Sequence, residues 1–256
     1  MRKTLSALLA IVFLIGGVFL CGCNQKTLYA YTESGFPPFE YIQDSKIHGV
    51  DIEIAKTVAS EMNMRLVVKD IEFSSIAKGI KQDNAIGLGM SISEERAKKV
   101  DFSIPYVKDV FQYVIFEEGA LETDQDDMVP IEELRGKKLG VQKGSSADTL
   151  ITKEKDGLFQ DAKVRRYENI LTATQDIGHS NDYIVIDSLS ALQITDNKVG
   201  LEAKRIKGLP SESYGIAVKK GNTKLLTNIN NIVSRLIEEE QIQKWIEIHS
   251  TTSQDL

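Results

Sequence analysis

Short apolar runs alternate with stretches of helical periodicity along nearly the whole chain, and this alternation constrains the fold more than any other feature. Leu28 to Tyr31, Leu66 to Ile71, Ala85 to Met90 and Phe111 to Phe116 read as strands. Between them Ile54, Ala55, Val58, Ala59 and Met62 recur at helical spacing, with Asp51 available as a cap. Ile76 and Ile80 share one face of a short helix, and another helix is expected to begin near Ser93. After an acidic, loop-like segment from Glu117 to Asp127, a second cycle starts with Leu134 to Val141, a loop running into a strand. Ser146 to Leu150 opens a helix, and Val164 to Tyr167, Ile170 to Ile177, Tyr183 to Ile186 and Gly215 to Val218 continue the alternation. Leu225, Leu226, Ile229, Ile232, Val233, Leu236 and Ile237 hold one face of the last helix. Such alternation predicts parallel sheets covered by helices, with any ligand at the carboxyl ends of the strands.

The first residues speak to compartment. Arg2 and Lys3 precede an apolar run from Leu5 to Leu20, and Leu20-Cys21-Gly22-Cys23 follows. A charged start, an apolar stretch and small residues before a cut mark a secretory signal peptide. The run is shorter than the ~20 apolar residues that span a bilayer comfortably. A plain membrane anchor helix is the competing reading, which Gly16, Gly17 and the Leu-Cys-Gly-Cys end fit poorly. Cys21 and Cys23 are the only cysteines, so loss of residues 1–22 leaves no pair for a disulfide. The same loss removes Arg2 and Lys3 and no acid, which takes the formal net charge from -6 to -8. An acidic domain has no electrostatic footprint for nucleic acid. No repeat, low-complexity tract or second membrane-length apolar run is present.

Catalytic and metal motifs are nearly missing. His48, His179 and His249 are scattered, and Gly87-Leu-Gly89 lacks the third glycine of a phosphate-cradling loop. No metal and no cofactor is expected. The residues that stand out lie in loops after strands. Met90-Ser91-Ile92-Ser93-Glu94-Glu95-Arg96 places a hydroxyl, backbone amides and a guanidinium near one another, and a guanidinium fork matches a carboxylate. Taken alone, Arg96 also reads as part of a solvated helix face. Gly144-Ser145-Ser146 opens a helix, which makes either an anion site or an ordinary N-cap. Asp187 ends a strand and is equally a cap for a helix starting near Ser188. Phe36, Phe39 and Phe73 read alone as core residues.

Taken together, these segments resemble the polar amino-acid family of bacterial substrate-binding proteins, receptors of ATP-driven (ABC) importers, and its binders of basic amino acids most of all. The matching stretches are Thr32 to Tyr41, Gly49 to Ala55, Gly89 to Tyr106, Leu134 to Ser146, Ile184 to Asp187 and Tyr214 to Val218. They run in the family's order, and Gly89-Met-Ser-Ile-Ser-Glu-Glu-Arg96 is the most specific of them. The resemblance implies a two-lobed α/β fold of the type II periplasmic-binding-protein class, with two crossing hinge strands and a cleft between lobes. Residues 27–108 with 212–256 would form one lobe and 109–211 the other.

By the same resemblance, Arg96 and the amides at Ser91 and Ser146 would hold a ligand α-carboxylate, beside Ser145. Asp187, Ser91 and the Gly89 carbonyl would hold the α-ammonium. Phe36 and Phe73 would sandwich the side chain, with Glu33 and Gln142 at its polar end, a combination that points to arginine and then other basic amino acids. The ending Leu20-Cys21-Gly22-Cys23 resembles a bacterial lipobox. It implies cleavage after residue 22, a tether over residues 23–26, lipid on Cys23 and an extracytoplasmic, membrane-anchored protein; the family resemblance implies a permease partner, and a monomer is expected. Departures include a short turn between Ile80 and Ala85, serines at 145 and 146 where threonine is common, and Ser213-Tyr214 where a glycine often stands. Two other functions share this fold: a receptor domain that senses an amino acid, and an enzyme resembling the cyclohexadienyl dehydratases, with Glu33 as general acid.

Overall fold

The structure is a computed structural model that describes residues 25–252 apart from Lys155. The signal segment, Cys21 and Cys23 lie outside the described residues. In chain order the main elements are β1 (Thr27–Thr32), β2 (Gly35–Phe36), β3 (Glu40–Gln43), β4 (Lys46–His48), α1 (Val50–Glu61), β5 (Arg65–Asp70), α2 (Ile76–Gly79) and β6 (Ala85–Gly87). They continue with α3 (Glu94–Ala97), β7 (Val100–Phe102), β8 (Val107–Val110), β9 (Gln112–Glu117), β10 (Lys138–Gln142), α4 (Ser146–Lys153), β11 (Lys163–Tyr167) and α5 (Ile170–Gln175). The last are β12 (Tyr183–Asp187), α6 (Ser188–Asp196), β13 (Leu201–Arg205), β14 (Glu212–Tyr214), β15 (Ala217–Lys219), α7 (Thr223–Glu238) and α8 (Gln241–Thr252).

Two five-stranded sheets carry the fold. The first has the order β5-β1-β6-β15-β7 and the second β11-β10-β12-β9-β13. The sheets are mixed, which departs from the all-parallel expectation. β1 runs parallel to β5 and β6, and β10 parallel to β11 and β12. β15 is antiparallel to β6 and β7, and β9 is antiparallel to β12 and β13. The antiparallel strands are the ones reached by chain that crosses between the sheets, so they enter from the opposite end without a helical crossover.

Period-two burial explains why both faces of each sheet are covered. In β9, Val114 and Phe116 face one core while Ile115 faces the other. In β12, Tyr183 and Val185 divide in the same way from Ile184 and Ile186. The first sheet packs Leu28, Ala30 and Ile86 against Val58 of α1 and Ile229 and Val233 of α7. Burying each such aliphatic side chain contributes roughly 1.5–3 kcal/mol. Its other face holds Ile76, Ile80, Ala85, Met90, Val100 and Ala217.

Two crossings join the sheets. β8 and β14 pair antiparallel, with Glu212 opposite Val110 and Tyr214 opposite Val107 across an irregular register. Gly215 separates β14 from β15, so the expected Gly215–Val218 strand starts two residues later. Asp51 does not cap α1. Gly49 does, at φ 128°, where a Cβ would meet the Phe39 carbonyl oxygen at 1.9 Å. Asp51 is fully buried instead. The strand expected from Ala85 to Met90 ends at Gly87, and the chain turns at Gly89 with φ 65° to deliver Ser91 toward the cleft.

Candidate functional site

Strand carboxyl ends and helix starts from both sheets converge on one cavity of about 380 Å³ of empty space, part of it open to solvent. Nine of the ten residues expected at a ligand site line it: Phe36, Phe73, Gly89, Ser91, Arg96, Gln142, Ser145, Ser146 and Asp187. Glu33 is the exception, set behind Gln142. Gln112 and Tyr214 line the cavity too and were not anticipated.

Each polar side chain has an identifiable support. Ser93 caps α3 by accepting from the Arg96 amide, and this turn brings the Arg96 guanidinium back over its own loop. Nη1 donates to the Ser91 carbonyl at 2.8 Å and to Ser91 Oγ at 2.6 Å. Nη2 donates across the cleft to the Gly144 carbonyl at 2.9 Å. The Phe73 ring lies under the guanidinium, 5.3 Å from centroid to Cζ. Burial lowers the Arg96 pKa, opposed by Glu212, Tyr214 and Glu95, and a guanidinium stays protonated throughout. Ser145 caps α4 by accepting from the Asp148 amide at 3.1 Å. Ser146 and Ala147, whose amides have no intrahelical acceptor, line the cavity at the start of α4.

Asp187 is both cap and site residue. Its Oδ1 accepts from the amides of Leu189 and Ser190, at 3.1 Å each. Its Oδ2 is buried with no hydrogen-bond partner. Burial raises the Asp187 pKa to about 6, the backbone amides of Ser190 and Leu189 oppose this, and Glu212 adds to it. Gln112 stands opposite Asp187 in the strand register. Its Nε2 donates to Ser146 Oγ at 3.3 Å, while its Oε1 is also buried and unpartnered. Two unpartnered acceptors in one cavity suit a group that carries several N–H donors.

Glu33 links the two lobes. Its carboxylate accepts from Gln142 Nε2 at 2.8 Å, Asn169 Nδ2 at 3.0 Å and the Gly35 amide at 3.1 Å. Burial raises its pKa, and those donors oppose the rise. Gln142 Nε2 also donates to the Glu168 carbonyl at 3.3 Å. Carboxylates and carbonyls can only accept, so both contacts require the nitrogen of this amide, and its Oε1 is the polar atom left for the cavity. Phe36 packs against the cores of both lobes and stacks on Phe39 at 5.6 Å between centroids. Phe39 itself is fully buried, as its apolar reading suggested. Among the described residues, no cluster of three or more His, Cys, Asp or Glu could hold a metal, and no helix is long and apolar enough to cross a membrane.

Gln112 interrupts the apolar run from Phe111 to Phe116, and that break in composition was its one sequence signal. Tyr214 had none, because its place depends on the hinge pairing and on an isolated bridge to Ser91.

Two α/β lobes joined by paired crossing strands present a guanidinium and a buried carboxylate to one interlobe cavity. The comparisons give the family. Residues 28–250 match bacterial extracellular solute-binding proteins, family 3, and the chain belongs to that family. It is 27% identical over 232 residues to the L-cystine-binding protein TcyJ of Escherichia coli, covering 87% of this chain and 83% of the relative. It is 30% identical over 216 residues to the L-arginine-binding protein of Pseudomonas aeruginosa, covering 80% of each. The crystal structure of the amino acid ABC transporter substrate-binding protein AbpA from Streptococcus pneumoniae, bound to L-arginine, superimposes with a TM-score of 0.79. It shares 26% identity, over 89% of this chain and 95% of that one.

Proposed function

We propose that this protein is the lipid-anchored, extracytoplasmic receptor of an amino-acid ABC importer, and that it carries a basic, arginine-like amino acid to the permease as a monomer. The observation that carries the reading is the pairing of opposite chemistries across one cavity. Arg96 and the Ser146 amide would receive an α-carboxylate, with Ser91 and Ser145 beside them. Asp187 Oδ2 would receive an α-ammonium, with the Gly89 carbonyl and Gln112 Oε1. A buried charge must be paired and hydrogen-bonded, and a free amino acid supplies one partner for each side. Residues 27–108 with 212–256 are taken as one lobe and 109–211 as the other. A ligand touching both then stabilises only their closed arrangement.

The side-chain end holds Phe36, Phe73 and Gln142, with the Glu33 charge behind Gln142. Aromatic faces, an amide carbonyl and a nearby carboxylate favour a cation. Citrulline has nearly the shape of arginine without its charge. Titration of ligand-stripped protein is expected to give arginine an affinity about tenfold or more above citrulline's, at least 1.4 kcal/mol. Equal affinities, or a preference for glutamine or cystine, would remove the basic-ligand assignment and leave the α-carbon site intact.

Lipid on Cys23, after signal cleavage at residue 22, would tether the domain, each buried CH₂ contributing roughly 0.8 kcal/mol. The Cys23→Ser protein is expected in the soluble extracytoplasmic fraction. Retention in the membrane fraction would overturn the anchor. A receptor role also predicts no turnover of prephenate or arogenate. Turnover of either would favour the dehydratase reading.

A further inference from the structure

Beneath the cavity floor lie two carboxyl groups that the binding scheme does not use. Glu40 of β3 is 1% exposed and Asp51 of α1 is 0% exposed. Neither enters an ion pair among the described residues, and the titratable groups facing them are Glu33, Tyr106 and Tyr214, none of which is a cation. Asp51 Oδ2 accepts from the Gly89 amide and from the Tyr106 hydroxyl, at 2.7 Å each. Glu40 Oε1 accepts from Thr32 Oγ1 at 2.8 Å. Asp51 Oδ1 and Glu40 Oε2 are buried without a hydrogen-bond partner, and the two carboxyl groups meet at Gly89.

We propose that Glu40 and Asp51 share one proton at neutral pH and act as positioning residues that fix the Gly89 backbone at the floor of the site. Two buried like charges without a cation cannot both ionise, so the pair retains a proton. The donor count says where it sits. Asp51 receives two donors on one oxygen and is the carboxylate, while Glu40 receives one and is the acid that donates to Asp51. Burial, then the neighbouring Asp51, push Glu40 well above the usual carboxyl range, in agreement. Gly89 is held from two sides. Its N–H is given to Asp51, and a Cβ on it would stand 2.8 Å from Glu40 Oε1. With φ at 65°, the peptide that carries the Gly89 carbonyl is thereby oriented. The pair itself does not depend on the ligand, whereas its effect on affinity rests on the reading that Gly89 meets an α-ammonium.

The pH dependence has a definite sign. Between the ordinary glutamate range and the raised value, the folded protein binds more protons than the unfolded chain. The pair's contribution to stability is therefore full at low pH and is lost as pH rises. Glu40→Gln keeps a donor toward Asp51 and needs no proton. In ligand-free protein, this variant is expected to unfold at a higher temperature than wild type at about pH 9, with a smaller advantage at about pH 6. The infrared band of a protonated carboxyl, present in wild type at about pH 8, is expected to vanish in the variant. A Glu40→Gln protein less stable than wild type at both pH values, or no such band in wild type, would overturn the shared proton. For the second half of the proposal, Glu40→Ala is expected to bind arginine roughly tenfold or more weakly, and Glu40→Gln to restore most of that loss. Wild-type affinity in folded Glu40→Ala would overturn the link to Gly89, and failure of wild type itself to bind arginine would count against the ligand assignment instead.

Discussion

Replacing Arg96 with alanine is expected to weaken amino-acid binding by about 3 kcal/mol or more, roughly a hundredfold or more in Kd. The loss has two sources. The ligand carboxylate would enter a part-buried site without its charged partner, and removing one member of a buried pair typically costs 2–5 kcal/mol. The lobes would also lose the Nη2 contact to Gly144, which crosses the cleft. Arg96→Lys separates the two features of the side chain. It keeps the charge and loses the fork, so its affinity is expected to fall between wild type and alanine. Calorimetric titration reads all three. Wild-type affinity in Arg96→Ala would remove the carboxylate assignment.

The second large effect is expected at Asp187. Asparagine preserves the cap, since its side-chain oxygen can accept from Leu189 and Ser190 as Asp187 Oδ1 does now. It removes the charge that an α-ammonium would meet. Affinity is expected to fall by about 2–5 kcal/mol while helix α6 stays formed. The two consequences for pH run in opposite directions. With a pKa raised to about 6, ligand-free Asp187 is increasingly protonated below that value, so wild-type affinity should fall as pH drops through about 6. The Asp187→Asn variant should lack that step. For the ligand-free protein, folding keeps the proton longer than the unfolded chain does. Stability from this group is therefore full at low pH and lost as pH rises toward and past about 6. The ligand-free variant should accordingly be more stable than wild type at neutral pH. Equal affinity in the two proteins across this range would place the ammonium elsewhere.

Local signals in the sequence carried the elements well where one residue could do two jobs. Ser145 and Asp187 read as helix caps or as site residues, and the structure makes them caps that also line the cavity. That coincidence is physical, because strand ends that feed helix starts place capping side chains and free amides at one edge of a sheet. The apolar face of α7 was legible for the ordinary reason that period 3.6 is a strong signal. Leu225, Ile229, Ile232, Val233 and Leu236 of the expected face are buried, while Leu226 at its edge is partly buried and Ile237 is exposed.

What was not legible depends on chain far away in sequence. The short strands β7, β8 and β14 contain too few residues to show a period, and their direction is set by the crossing between lobes. Asp51 had the look of a cap, and the close approach of Gly49 to the Phe39 carbonyl places that role two residues earlier in the chain. Glu33 was expected against the ligand side chain, and the structure places it one hydrogen bond behind, on Gln142 and Asn169 of the other lobe.

The central claim is that this interlobe cavity recognises both charged groups on the α-carbon of a free amino acid. Calorimetric titration of ligand-stripped protein with L-arginine, its Nα-acetyl derivative and its methyl ester tests that claim most directly. The free amino acid should bind, and each blocked form should lose roughly a hundredfold or more, since each leaves Arg96 or Asp187 without its partner. Comparable affinity for the free and blocked forms would contradict the account.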